Sequence, residues 1–586
     1  MSNWKILYDK PKNIKDILRN IINEKKIKKE YLKDYLNCRV PTHDSYLMDN
    51  MQEAIKEITN YKNIVISGDY DCDGICATAI MYIGLQELAK FYHFNVDYII
   101  PLRQDGYGLS TKIIDQANEK NADVILTVDN GIAAMTAVNY AHLLGIDVII
   151  TDHHKPQIDP VTETVILPDC LIVDPQIDNY PYKYICGACV AFKFIEKLFE
   201  ETLKNFNSEF NTLKEYNINL YDELLSLTAI ATVADVMKIT DENRFYVGVG
   251  LQKLQHTKNI GLKTLIKQTD IVTLNVDSIA YTIGPIINAA GRMDTPYLAF
   301  NLIITEDINE CEKLAKKLIS LNSQRRKMQK NAIDNIPPQI LNDSFIVVYD
   351  PTIAKGILGT IASAITEKYR KPCFVLSGNE ELTKSGKLRL TGSGRSSQGY
   401  PILNFIQDSK DIVEGGGHEA ACGISLLKEN LDLLRTRCNQ HFQKWLNTNN
   451  KQIDKNIYAL CELDFDFITM DLANNLKLLE PFGLGNSKPL FVINDVFVKE
   501  AYIIGTNDNA IKFILEKNEK EIKGIGFSNI IPLYKENIRT MDIICAIDLN
   551  EWPKNNFTLQ LQIIDIHPRV IDDNNTLDIN FYQVNN

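Results

Sequence analysis

The sequence predicts an α/β protein that ends in a small β-barrel. Three observations carry this expectation. Short β-branched runs alternate with helical stretches between Asn63 and Thr151. A second alternation of strand and helix begins near Ser344, and from about Asn456 the texture changes to short strands separated by polar turns. At 586 residues the chain is too long for one core, so three or four domains are expected.

Residues 1–45 are charged and helical in pattern, and they read as a lead-in rather than a core. The next rhythm runs NIVIS (63–67), ATAIMYIGLQELAKF, NVDYIIP (95–101), STKIIDQANEK, DVILTV (123–128), AAMTAVNYAHLLG and DVIIT (147–151). Such alternation predicts right-handed βαβ units and a parallel sheet with helices on both faces. Continuously apolar strands agree with burial on both sides.

The residues after these strands are unusual. NIVIS leads into Gly68-Asp69-Tyr70-Asp71-Cys72-Asp73-Gly74, DVILTV into Asp129-Asn130-Gly131, and DVIIT into Asp152-His153-His154. Three crowded aspartates repel unless a divalent cation, a basic side chain or solvent sits among them. One Asp after a strand is usually a turn or a helix cap. Three successive strands ending in seven Asp and His residues favour a common site, because all carboxyl ends of a parallel sheet lie on one edge. Hard carboxylates mixed with imidazole suit Mn²⁺ or Mg²⁺. Asp71 and Asp73, two residues apart, are placed to face different ions of a pair. Such pairs sit ~3.5–4 Å apart and activate water for attack on phosphorus.

From about Leu251 the pattern is helical, and CEKLAKKLISLNSQRRKMQKNAIDNI (311–336) reads as a long amphipathic connector ended by Pro337-Pro338. Its basic cluster, Arg325, Arg326 and Lys327, reads first as a solvated face. SFIVVYD (344–350), LGTIASAITEKY and KPCFVLSG (371–378) predict another α/β domain, which carries GSGRS (392–396) and GGGHEAACG (415–423). Both glycine-rich stretches read as turns whose exposed N–H groups, with the adjacent Arg, suit phosphate. KPLFVIN, AYIIGT, AIKFILE, IKGIGFS, DIICAIDL and FTLQLQIIDI then suit a small barrel, an OB-fold, of the kind that binds single strands through stacking and a basic groove. This barrel is expected to contribute affinity more than chemistry.

The totals narrow the function. A net charge of -12 disfavours a uniformly basic coat but leaves room for a local basic channel. Twelve cysteines lie mostly in apolar segments, and the lone CxxC of Cys186 and Cys189 has no second pair at zinc-ribbon spacing, so it reads as core. The start, MSNWKILYDKPKN, lacks the apolar core of a signal peptide, and no apolar run reaches membrane-spanning length. A cytoplasmic protein with no membrane contact is expected.

GDYDCDG, VDNG and DHH, followed by Ala231-Thr232-Val233-Ala234-Asp235-Val236-Met237, resemble the DHH phosphoesterase superfamily. CGACVAFKF (186–194), GPIINAAGRMD (284–294), GSGRS, GGGHEAACG, PFGLGNSKPLF (481–491) and LNEWPKNNFTLQLQIIDI (549–566) resemble its RecJ single-strand-specific exonucleases. The likeness runs from about Asn63 to Ile566. It implies a DHH catalytic domain over 46–250, a helical connector over 251–340, a DHH-associated domain over 341–450 and an OB-fold over 456–575. It also implies that Asp71, Asp73, Asp129, His153 and Asp235 bind two ions of Mn²⁺ or Mg²⁺, with Asp129 between them. His154 would contact the scissile phosphate or orient the attacking water, and Asp152 would orient the histidines. Asp69 would stand behind the ligands. Arg103, Tyr107, Asn288, Arg292, Ser393, Arg395 and His418 would bind substrate, with Tyr107 stacking on the first base and the arginines reading a terminal 5′-phosphate.

The implied activity is metal-dependent 5′-to-3′ exonuclease action on single-stranded DNA, in repair and recombination. A monomer is expected, with a single-strand-binding protein and a helicase as possible partners. The alternatives are a DHH-family phosphodiesterase acting on short oligonucleotides or cyclic dinucleotides, and a non-catalytic single-strand-binding scaffold. Ser67 and Ala354 stand where relatives carry histidine, and Cys189 and Cys422 where small residues are usual; none belongs to the implied ligand set.

Overall fold

A computed structural model describes residues 3–159, 162–177, 179–382, 386–397, 399–418, 420–449, 456–505, 510–527, 529–534, 538–551 and 557–569. Among these, no helix is long and apolar enough to cross a membrane.

The first sheet is five-stranded and wholly parallel. Its spatial order is Asn95–Ile99, Asn63–Ser67, Val124–Val128, Asp147–Thr151 and Leu171–Val173. The first strand in sequence therefore pairs with both the second and the third. The chain reverses its winding direction between Ser67 and Val128, and ligands bind above such a reversal. Helices Cys72–Tyr92, Gly187–Asn205 and Ile218–Ala234 bury one face of the sheet, and Thr111–Glu119 and Met135–Leu143 bury the other. The helix expected to begin at ATA starts earlier, at Cys72, because the Asp71 side chain caps it by accepting from the N–H groups of Asp73 and Gly74. Cys186 and Cys189 are buried core thiols.

Helices from Glu242 to Asn342, among them the 27-residue Ile308–Asp334, lead to a second five-stranded sheet. Its order is Val413–His418, Ala421–Leu427, Leu388–Arg395, Cys373–Leu382 and Ile346–Asp350. GSGRS and GGGH, expected as turns, lie mostly in its antiparallel strands, where Gly392 faces Ile424, Gly394 faces Cys422 and Gly416 faces Gly423. The glycines serve packing: a Cβ on Gly394 would meet Phe374 at 2.5 Å, whereas Gly416 and Gly423 leave open space above the sheet.

The C-terminal barrel closes in the order Phe491–Ile504, Ala510–Lys517, Lys520–Phe527, Phe557–Arg569, Thr540–Glu551 and back to Phe491–Ile504. One parallel pairing, Lys520–Phe527 with Phe557–Arg569, completes the OB-fold. KPLFVIN and AYIIGT, expected as two strands, form one 14-residue strand that bends through register shifts at residues 493–496 and 498–500.

The N-terminal segment is not a mere lead-in. Asn3–Ile6 pairs in parallel with Asn456–Ala459, and Ile17 and Ile21 are fully buried in the barrel's core. An amphipathic helix of 11 residues cannot bury its apolar face alone, and the barrel supplies the missing surface.

Candidate active site

The carboxyl edge of the first sheet gathers the acids. Asp73, buried in the first turn of its helix, accepts from Gly187 N on one oxygen and from Ala188 N on the other, both at 2.8 Å. Those donors open the helix Gly187–Asn205, whose positive end favours the carboxylate. Asp129 sits at φ 63°, a left-handed conformation that Asp tolerates better than most residues. Its N–H donates to the Thr151 carbonyl at 3.0 Å. His153 Nε2 lies 3.1 Å from Asp129 Oδ1, 3.6 Å from Asp73 Oδ2 and 3.9 Å from Asp235 Oδ2. Asp235 arrives from outside the sheet, at the C-terminal end of the helix Ile218–Ala234.

Asp152 faces inward to its neighbours. One oxygen accepts from the N–H groups of His153 and His154 and from His154 Nδ1 at 2.8 Å; the other accepts from Ile132 N at 3.0 Å. This network orients the His154 imidazole and holds the backbone at His153. The Tyr107 hydroxyl donates to the Asp129 carbonyl at 3.1 Å and lies 3.3 Å from the nitrogens of His154, while the residue remains 54% exposed.

The electrostatics describe a site that demands positive charge. Burial first, then mutual repulsion, pushes Asp69, Asp129 and Asp235 well above the usual carboxylate range. Burial and the neighbouring His154 lower His153, which keeps its imidazole neutral and able to ligate. Burial would also lower His154, but the hydrogen bond and charge of Asp152, with Asp235 and Asp73 behind, raise it to about 9. Among the described residues, Asp69 Oδ1, Asp129 Oδ1 and Asp235 Oδ2 are buried without a hydrogen-bond partner, although His153 Nε2 stands 3.1 Å from Asp129 Oδ1. Three groups have ligand atoms within 4.8 Å of one another: Asp73, His153 and Asp235; Asp129, His153 and His154; and Asp69, Asp71 and Asp129. Orphaned oxygens in an oxygen-rich set with one neutral imidazole fit a hard divalent cation such as Mn²⁺ or Mg²⁺. Asp129 and His153 belong to two groups each. Asp69, expected behind the ligands, is 1% exposed and has a carboxylate oxygen within 4.8 Å of those of Asp71 and Asp129.

Across from the acids lies a cationic wall. The Arg103 guanidinium stacks over the Tyr70 ring at 4.3 Å, and its Nε is buried without a partner among the described residues. Burial, with the charges of Arg103 and Arg325 nearby, lowers Arg292 to about 10. Arg292 Nη1 approaches the Gly356 carbonyl at 3.5 Å, just before the helix Leu358–Tyr369 of the second α/β domain. Arg395 donates to Ser393 Oγ at 3.0 Å and to Ser363 Oγ at 3.1 Å, and its Nη2 would lie 3.0 Å from a Cβ on Gly359. Arg292, Ser393 and Arg395 are thus drawn to one helix N-terminus, a ready anion site. The sequence reading found this helix and the basic cluster of Arg325 but gave neither a place at the site, and it did not single out Ser363. Asn288 Oδ1 accepts from Cys72 N at 3.0 Å, which ties it to the helix start that carries Asp71 and Asp73. The side chain of His418 lies outside the described residues.

Three family models match in chain order: the DHH family N-terminal domain over residues 63–232, the DHHA1 domain over 342–444 and the RecJ OB domain over 461–565. The single-stranded-DNA-specific exonuclease RecJ of Bacillus subtilis is 32% identical over 544 residues, covering 89% of this chain and 64% of the relative. The RecJ of Escherichia coli is 30% identical over 537 residues, covering 86% of this chain and 87% of the relative. The chain belongs to the RecJ family. It spans just under two thirds of the Bacillus RecJ. The fold is also that of RecJ from Thermus thermophilus, solved in complex with Mn²⁺, at a TM-score of 0.77 and 22% identity over 96% of this chain and 79% of that one. An exonuclease RecJ bound to manganese matches 71% of this chain at 25% identity, with a TM-score of 0.59.

Proposed function

We propose that the chain is a metal-dependent exonuclease that hydrolyses phosphodiester bonds of single-stranded DNA from a 5′ end. The observation that carries this reading is the pairing of buried, partnerless carboxylate oxygens with an arginine-lined helix N-terminus in the next domain. One side suits divalent cations and the other suits a terminal phosphate.

Asp71, Asp73, Asp129, His153 and Asp235, joined by Asp69, would hold two ions of Mn²⁺ or Mg²⁺. Such ions supply a water made nucleophilic at neutral pH and neutralise charge on the phosphate. His154, its ring held by the hydrogen bond between Nδ1 and Asp152, donates to a non-bridging oxygen of the scissile phosphate. Arg292, Arg395 and Ser393 bind the terminal 5′-phosphate, whose extra charge and oxygen an internal phosphodiester lacks. Guanidinium groups suit this because they present forked, permanently charged donors. Beyond the site, a groove of about 770 Å³ runs between the barrel and the helical connector, and its lining includes Lys477, Lys512, Lys523 and Phe557. Lys477 lies over the Phe557 ring at 5.3 Å. A cationic groove with an exposed aromatic suits a single strand.

A role in DNA repair and recombination, a cytoplasmic location, a monomeric state and work beside a single-strand-binding protein and a helicase fit this activity. The family membership supports them. The test is digestion of linear and circular single strands and of blunt duplex, with Mn²⁺ and with chelator. Linear single strands should yield mononucleotides only with metal. Cutting of circles, or digestion in chelator, would refute the reading.

A further inference from the structure

The chain that follows the Asp235 carboxylate turns sharply. Val236 is β-branched and 67% exposed, yet its φ is 57°. Such a residue holds a left-handed conformation only where its surroundings impose it. The end of the helix Ile218–Ala234 supplies this turn itself, because the N–H groups of Val236 and Met237 donate back to the carbonyls of Val233 and Thr232 at 3.2 and 3.1 Å; two domains then hold the chain that leaves it. From the catalytic domain, the Tyr182 hydroxyl donates to the Lys238 carbonyl at 2.9 Å, and Asn243 Nδ2 donates to the same carbonyl at 3.0 Å.

From the C-terminal domain, the loop of residues 481–486 lies against residues 238–240. The N–H of Ile239 donates to the Leu484 carbonyl at 2.7 Å. A Cβ on Gly483 would meet Ile239 Cδ1 at 2.5 Å, and one on Gly485, at φ 78°, would meet Thr240 Cγ2 at 3.1 Å. The loop is itself tied down. Asn486, 2% exposed, donates to the carbonyls of Leu479 and Pro481 at 3.1 and 2.7 Å and accepts from the Tyr35 hydroxyl at 3.0 Å. Arg244, wholly buried, donates to the carbonyls of Glu480 and Tyr35, both at 2.8 Å, and fixes the base of the loop to the catalytic domain.

We propose that the loop of residues 483–486 is a positioning element for the metal centre: it braces the Asp235 turn, so the C-terminal domain helps set metal affinity as well as holding the strand. The proposal rests on the metal site described above. It departs from the expectation that the barrel contributes affinity more than chemistry. A tightly packed turn passes a displacement of its brace on to the carboxylate four residues away.

The test is Mn²⁺ titration of the full chain without DNA, with free ion read by electron paramagnetic resonance. Asn486→Ala and Gly483→Ala should each weaken Mn²⁺ binding by about tenfold or more, the scale seen when groups that orient ligands are lost. Tyr182→Phe loosens the same turn from the other side and should act alike. Leu515→Ala, in the barrel core, gauges lost stability alone and should leave Mn²⁺ affinity unchanged. If Gly483→Ala does not fold, Asn486→Ala and Tyr182→Phe decide. Wild-type affinity in folded Asn486→Ala chains would overturn the brace. A wild-type chain that binds no Mn²⁺ would overturn the metal site and the brace together.

Discussion

Gly187 lies so close to Asp129 that a Cβ placed on it would sit 2.5 Å from Asp129 Oδ1. The same glycine donates its N–H to Asp73 Oδ2 at 2.8 Å. One backbone position therefore sets two carboxylates, one in the first turn of a helix and one beyond a strand.

Gly187→Ala keeps every acid in the chain but should displace Asp129. A displacement near 1 Å in such a site costs roughly 100-fold in rate. The measurement is kcat on linear single-stranded DNA at saturating Mn²⁺. A wild-type kcat would mean that Asp129 has room to shift without consequence.

Asp69 is 1% exposed and its Oδ1 has no partner among the described residues. Its ligand atoms lie within 4.8 Å of those of Asp71 and Asp129. Asp69→Asn should raise the Mn²⁺ concentration for half-maximal activity about 10- to 100-fold. An unchanged Mn²⁺ dependence would return Asp69 to a structural role.

Arg395→Ala should weaken binding of 5′-phosphorylated strands far more than 5′-hydroxyl strands, by about tenfold or more, since it removes hydrogen bonds to a charged group. The gap should narrow as salt rises. Metal content should not change, because no ligand is touched. Binding of both strand types at two salt concentrations checks this, and equal losses would show that Arg395 does not read the terminal phosphate.

Ile17, fully buried in the barrel core, ties the first residues of the chain to its last domain. Ile17→Ala should lower the stability of the barrel by about 2–5 kcal/mol, as other large-to-small core changes do. Urea unfolding measures this. A loss well below about 1 kcal/mol would show that the helix merely rests on the surface.

Much of this architecture was legible in the sequence because parallel strands buried on both faces read as continuous apolar runs, as NIVIS, DVILTV and DVIIT do. The acids were legible for the same reason: a strand's end fixes which residues reach the shared edge. Asp235 was not, since it caps a helix, and only the family motif marked it. The strand end at Ser67 was read correctly, but a strand end does not say which of Asp69, Asp71 and Asp73 turns inward. The helix begins at Cys72, so Asp73 turns toward Gly187 while Asp69 lies beside Asp71 and Asp129. The N-terminal segment read as charged and helical because the partner of its apolar face lies more than four hundred residues away in sequence (Ile17 and Leu472 share one core). Glycines in GSGRS and GGGH read as turns because a sequence does not show which backbones approach closely.

The account stands most directly on Asp129→Asn. Asparagine tolerates the φ of 63° and keeps the side chain's shape, so the change removes charge and little else. The measurement is Mn²⁺ content per chain together with the rate of hydrolysis of linear single-stranded DNA. The account predicts two ions in the wild-type chain, loss of at least one in the variant, and a fall in rate of about a thousandfold or more. A variant that keeps both ions and a near-normal rate would contradict it.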